Sequence, residues 1–140
     1  MECLEGTWAV QRSIIRDFPG APIRVSYVWI DMLTYDEQAA AQRAADKMDH
    51  DPRVRHFHDA RRACGQAVAR SLGAEPGMIA WDVYLLYGAD TTWTGDLPPM
   101  PLDWVHQLHG VAWADRMRFH TGDDLVIALR TMVERFLARE

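Results

Sequence analysis

Ala80-Trp-Asp-Val-Tyr-Leu-Leu-Tyr87 decides the fold class of this 140-residue chain. Pro76-Gly77 stands before it and Gly88-Ala-Asp90 after it. The aromatic and β-branched run between those turn signals reads as a strand over about 79–87. One acid, Asp82, sits inside it. A carboxylate in a central strand is costly unless something pairs with it. Asp82 is therefore either a satisfied structural acid or a group that handles protons. Past the Gly88-Ala-Asp90 turn, Thr91 to Thr94 is expected to return antiparallel.

Upstream of the strand, Asp59 caps a helix over about 60–72 whose inner face is Ala60, Ala63, Cys64, Ala67, Val68 and Leu72, with Gly73 as its stop. Val54 to His58 is a short strand. Thr34-Tyr-Asp-Glu37 has the form of a capping box and opens an alanine-rich helix running to about Met48. Pro22 to Ile30 alternates as a strand, with Ile23, Val25, Tyr27 and Trp29 on one side. Leu4, Trp8, Gln11, Ile15 and Phe18 recur at helical steps and give a helix from about 4 to 17, ended by Pro19-Gly20. Downstream, Pro98-Pro-Met-Pro101 is a rigid connector. Asp103 to His109 is expected as a short helix with Trp104, Val105 and Leu108 inward, inside an irregular insertion at about 96–120. Thr121 caps a final helix with a broad stripe of Leu125, Val126, Leu129, Met132, Val133, Phe136 and Leu137.

Helices alternating with strands imply an α/β sheet covered by helices on both faces, and 140 residues imply one domain spanning 1–140. The net charge of −5 argues against a nucleic-acid binder, which needs a basic stripe. Lys47 is the sole lysine, so the positive charge is almost all arginine, a bias that genome composition alone can produce. No apolar run is long enough to cross a membrane, and Met1-Glu-Cys-Leu-Glu5 has no signal-peptide character. The chain reads as cytoplasmic, with Cys3 and Cys64 as free thiols rather than a disulfide framework.

The element order, with a late hairpin before the last helix, resembles the thioredoxin-like superfamily, in its bacterial thiol-disulfide oxidoreductase and peroxiredoxin-like branch. Arg53-Val-Arg-His-Phe-His-Asp59 resembles that branch's strand leading to an Asp, and Arg61 to Gly73 resembles the helix after it. Trp81 to Asp90 resembles the hairpin that begins with a cis-proline, a position Asp82 takes here. The resemblance implies a three-layer α/β/α sandwich on a mixed sheet. It implies too that the first strand is missing and that Cys3 matches the second cysteine of the family's C-x-x-C pair. From it follow a monothiol or degenerate oxidoreductase acting on protein or small-molecule thiols and disulfides, with no cofactor, and Cys3 and Asp82 as the catalytic pair. Trp81, Trp29 and Asp31 border that site. The rival expectation is a non-catalytic thioredoxin-fold binding or assembly module, oligomeric and as a simple case a homodimer.

Each candidate has a plainer reading. A thiol at a helix N-terminus has a lowered pKa and can attack a disulfide, whereas a frayed terminal cysteine does nothing. Cys64, on an inner helix face, reads as inert packing. His56 and His58 lie two apart on a strand, hence on one face, with His50 and Asp59 nearby. Two such ligands are not a zinc site, so these read as surface or capping histidines, as do His106, His109 and His120. No phosphate-binding glycine loop and no nucleophile elbow is present.

Overall fold

A computed structural model describes residues 2–33, 36–48 and 50–139, with side chains from residue 4 onward. The chain is mixed α/β, with four α-helices and two small sheets, one parallel and one antiparallel, among the described residues. In order they are α1 (Glu2–Val10), a π-helical segment (Gln11–Arg16), β1 (Val25–Ile30), α2 (Gln38–Asp46), β2 (Val54–Asp59), α3 (Ala63–Ser71), β3 (Val83–Leu86), β4 (Asp103–His106), a 3-10 turn (Arg116–Arg118) and α4 (Gly122–Leu137).

The principal core joins α1, the π-helical segment and α4. Val10, Ile14 and Ile15 pack on Leu125, Leu129, Met132 and Val133, with Val105 from β4. Fully burying one such side chain contributes about 1.5–3 kcal/mol. Val25 and Tyr27 of β1, Val54 of β2, and Tyr84 and Leu86 of β3 pack against this core, so both sheets share one helical layer. On the hairpin's other face, Val83 and Leu85 meet α3 through Val68, Ala69 and Ala80. Strand alternation explains the division: even residues of β3 face α1 and α4, odd residues face α3.

β1 and β2 are parallel, joined through α2, with Tyr27 opposite His56 and Trp29 opposite His58. β3 and β4 are antiparallel, with Val83 opposite His106. The single mixed sheet expected from the sequence is therefore replaced by two separate pairs. Val25 donates its N–H to Arg53 O (2.9 Å), so the odd residues of β1 bond to β2. The N–H and C=O groups of Ser26, Val28 and Ile30 then point to the other side, where no described residue bonds them. Val83 and Leu85 leave the far edge of β3 open in the same way.

Several expectations need correction. Asp82 is outside the strand: β3 is only four residues, and Asp82 precedes it in a left-handed bend (φ 48°). Asp tolerates that region better than most residues. Thr91 to Thr94 forms no strand, and β4 pairs with β3 instead. Residues 103–106 are strand, not helix. Trp104 and Val105 are adjacent yet both buried, because β4 is covered on both faces, with Val105 in the principal core and Trp104 under the Arg118 guanidinium. Burial on two faces at 104, 105 and 108 imitates a helical spacing. Segment 96–120 thus holds a core strand.

Across α1 and the π-helical segment, Leu4 and Trp8 are exposed while Thr7, Val10, Gln11 and Ile14 are buried. The expected 4-8-11-15 stripe is therefore buried only in its second half, at Gln11 and Ile15. Residues Thr34 and Tyr35 lie outside the described residues; α2 begins after Glu37, whose side chain makes no cap. The cap at Asp59 is present: its carboxylate accepts from Ala63 N (2.9 Å) and Gly65 N (3.1 Å).

Candidate functional site

Two anchors fix how α1 lies on the parallel strands. At one end, Arg53 donates from its guanidinium to Ile15 O (3.0 Å), Phe18 O (2.6 Å) and Ala21 O (3.3 Å), tying the end of the π-helical segment to the start of β2. At the other, the Tyr27 hydroxyl meets Thr7 O at 3.5 Å. The helix therefore runs antiparallel to β1. From Thr7 back to Cys3 is about 6 Å of helical rise, and Tyr27 to Trp29 is about 6.6 Å of strand. On those rises the first turn of α1 extends toward the carboxyl ends of β1 and β2. The side chain of Cys3 lies outside the description.

The bend before β3 comes to the same end. Gly6 packs so tightly on the hairpin that a Cβ there would meet Tyr84 Oη at 1.6 Å and Gln107 Nε2 at 2.8 Å. Gln107 N donates to Asp82 O (2.9 Å). Gly65 of α3 sits against Ile30, Ile79 and the Ala80 carbonyl, which ties residues 79–80 to the end of β1. Gly6 of α1 and Asp82 are thus both tied to the β3–β4 hairpin, and residues 79–80 to the end of β1.

The strand register gives a partner to His58, which the sequence reads as a surface or capping histidine. His58 stands opposite Trp29, and its Nε2 lies 2.7 Å from Asp31 Oδ1. A carboxylate only accepts, so Nε2 carries the hydrogen. The pair is mostly buried, at 20% and 23% side-chain exposure. Arg62 Nε donates to Asp31 O (2.6 Å), and Asp31 N reaches Asp59 O (3.4 Å), so the backbone of Asp31 is held on both sides. His58 Nδ1 has no hydrogen-bond partner among the described residues. One step down the same face, Trp29 Nε1 donates to His56 Nδ1 (3.1 Å), and Tyr27, Trp29 and His56 stack with centroids 5.1–6.3 Å apart. Burial pushes the Tyr27 phenol up and holds the His56 imidazole below its usual value, against the pull of Asp46.

The chain matches no family model, no curated protein and no solved structure.

Other titratable groups are occupied elsewhere. Cys64 is half-buried beside Asp59, and burial first, then that carboxylate, push its thiol up, away from reactivity. His106 is buried; its Nδ1 accepts from Leu108 N (3.1 Å), so its Nε2–H donates to Asp115 O (2.7 Å). A cleft of about 410 Å³ over His106, His109, Arg116 and Phe119 is thus floored by a histidine with both nitrogens in use. No three side chains able to hold a metal converge among the described residues. No described helix is long and apolar enough to cross a membrane.

Proposed function

We propose that this chain is a thioredoxin-like domain that exchanges thiols with protein or small-molecule disulfides through Cys3 in a monothiol manner. The observation that supports this is the antiparallel seat of α1 on β1, which points the helix's first turn toward the carboxyl end of the parallel strands. Open α/β sheets bind ligands at that end, and a helix N-terminus favours thiolate. On this reading Trp29, Asp31 and Trp81 would border the site. Alkylation followed by peptide mass spectrometry tests the reading: Cys3 is expected to react faster than Cys64, and insulin-disulfide reduction is expected to disappear in Cys3→Ser. Equal alkylation rates in the folded protein would end it.

A second reading, a non-catalytic binding or assembly module, is favoured by a different observation. Among the described residues β1 and β3 each keep an open edge, and Val28 and Phe57, paired across the parallel strands, are 39% and 50% exposed. Parallel sheets are ordinarily covered on both faces. An added strand at either edge would satisfy these groups. Sedimentation decides here: a monomer at all concentrations, with no change on Val28→Lys, counts against assembly through this face.

A further inference from the structure

From the two open edges we infer a slot for a single strand: β1 and β3 are its banks, and an extended, uncharged apolar segment of another polypeptide fills it. This rests on the assembly reading and deepens it, because one added strand then satisfies both edges. Two bridges set the edges side by side. On one face, consecutive residues of α1 touch both strands: the Tyr84 side chain lies against Gly6, and the Tyr27 hydroxyl meets Thr7 O at 3.5 Å. On the opposite face of β1, Gly65 of α3 touches both Ile30 and Ile79, which a Cβ there would meet at 3.0 Å and 2.8 Å. Ala80 N also donates to Gly65 O (2.9 Å). Tyr27 is thus level with Tyr84, and Ile30 with residues 79–80, so β3 runs alongside β1 in the opposite direction.

β2 takes the other side of β1, and β4 the other side of β3. Among the described residues no hydrogen bond joins β1 to β3. Paired strands lie about 4.8 Å apart, so two strands flanking a third are about 9.6 Å apart. A helix about 10–12 Å wide, as α1 is with its side chains, can rest on both banks of such a slot. Neither bank carries a charged side chain, from residue 26 to 30 or from 83 to 86. A charged occupant would lose its water with no countercharge there. An apolar one completes the layer between α1 and α3, and its main chain bonds both edges. Whichever way it runs, it is parallel to one bank and antiparallel to the other. Each described strand of a second copy is already paired within its own fold, so the donor is a different polypeptide.

The test is hydrogen–deuterium exchange read residue by residue by NMR, with and without a capped peptide of alternating valine and threonine flanked by single lysines. On binding, the amides of Ser26, Val28 and Ile30 and those of Val83 and Leu85 are expected to slow together, by at least about tenfold. The same peptide N-methylated along its main chain is expected to bind at least about tenfold more weakly. If only one set of amides slows, or the N-methylated peptide binds equally well, the slot is overturned and assembly at a single edge still stands. If both sets stay fast at about 1 mM peptide, the slot is overturned, and a monomer by sedimentation then ends the assembly reading too. If a dimer forms and slows both sets without peptide, the occupant is a second copy and the assignment to another polypeptide is overturned. Both sets already slow in the free monomer would mean that the banks close on each other, which also overturns the slot.

Discussion

Gly6→Ala probes the contact that brings α1 to the hairpin. Inside a helix, replacing glycine by alanine ordinarily stabilises by about 0.8–1 kcal/mol. Here the new methyl would fall 1.6 Å from Tyr84 Oη, 2.8 Å from Gln107 Nε2 and 2.9 Å from Tyr84 Cζ. The ring would have to move, and the 2.8 Å bond from Gln107 to its hydroxyl would break. Overpacking of this kind costs about 1–3 kcal/mol, and the broken bond adds about 1 kcal/mol. The clash outweighs the propensity gain, leaving a net loss of about 1–3 kcal/mol. At this chain length that lowers Tm by about 3 °C for each kcal/mol. Thermal melts followed by circular dichroism measure it. Adding Tyr84→Phe removes the nearest atom and should restore part of the loss. A Gly6→Ala protein that melts at or above wild type would refute the seat of α1 on the hairpin, and with it the geometry behind Cys3.

Three further outcomes follow from separate parts of the molecule. Arg53→Ala should destabilise by about 2 kcal/mol or more in urea unfolding, because a charged donor leaves three main-chain carbonyls; Arg53→Lys, lacking the fork, should recover little of it. Gln11 is 0% exposed and its amide has no partner among the described residues, so Gln11→Met should raise stability by about 1 kcal/mol in the same assay. The His56 imidazole is held below the ordinary histidine value of about 6.5, chiefly by burial. A depressed folded pKa means that the unfolded chain takes up the proton first. Stability from this group is therefore full above about pH 6.5 and is lost as pH falls from there through the folded value, a slope in Tm that His56→Phe should lack.

Local signals carried much of the fold. α3 was legible because Asp59 and Gly73 bracket its apolar positions: the Asp59 carboxylate accepts from first-turn N–H groups, although the helix starts only at Ala63 with Arg62 at the N-cap position, and Gly73 takes φ 98° beyond its end. α4 was legible from its stripe, although Thr121 makes no side-chain cap. Pairings were not legible, because they join residues far apart in sequence. β3 finds its partner after sixteen intervening residues, and only burial of both Trp104 and Val105 marks β4 as a strand. The site divides in the same way. Trp29 and Asp31 could be placed near a strand end, but His58 read as a surface histidine. Its meaning depends on the register that sets Trp29 opposite it and Asp31 one step beyond. A parallel β1–β2 pair in that register, tried on the alternation of Tyr27, Trp29 and Asp31 against His56 and His58, would have been the signal.

The one-sided pairing of β1 also writes itself into time. Val25, Tyr27, Trp29 and Asp31 turn their amides to β2, and Ser26, Val28 and Ile30 turn theirs away. Amides that need an opening event exchange slowly with deuterated water, while unpaired ones exchange without it. Along these seven consecutive residues, exchange should alternate slow and fast, a comb-like pattern within one strand. If another strand settles on the open edge, the fast teeth of that comb slow while the others keep their rates, so the order in which Ser26, Val28 and Ile30 become protected would trace the docking of whatever covers them.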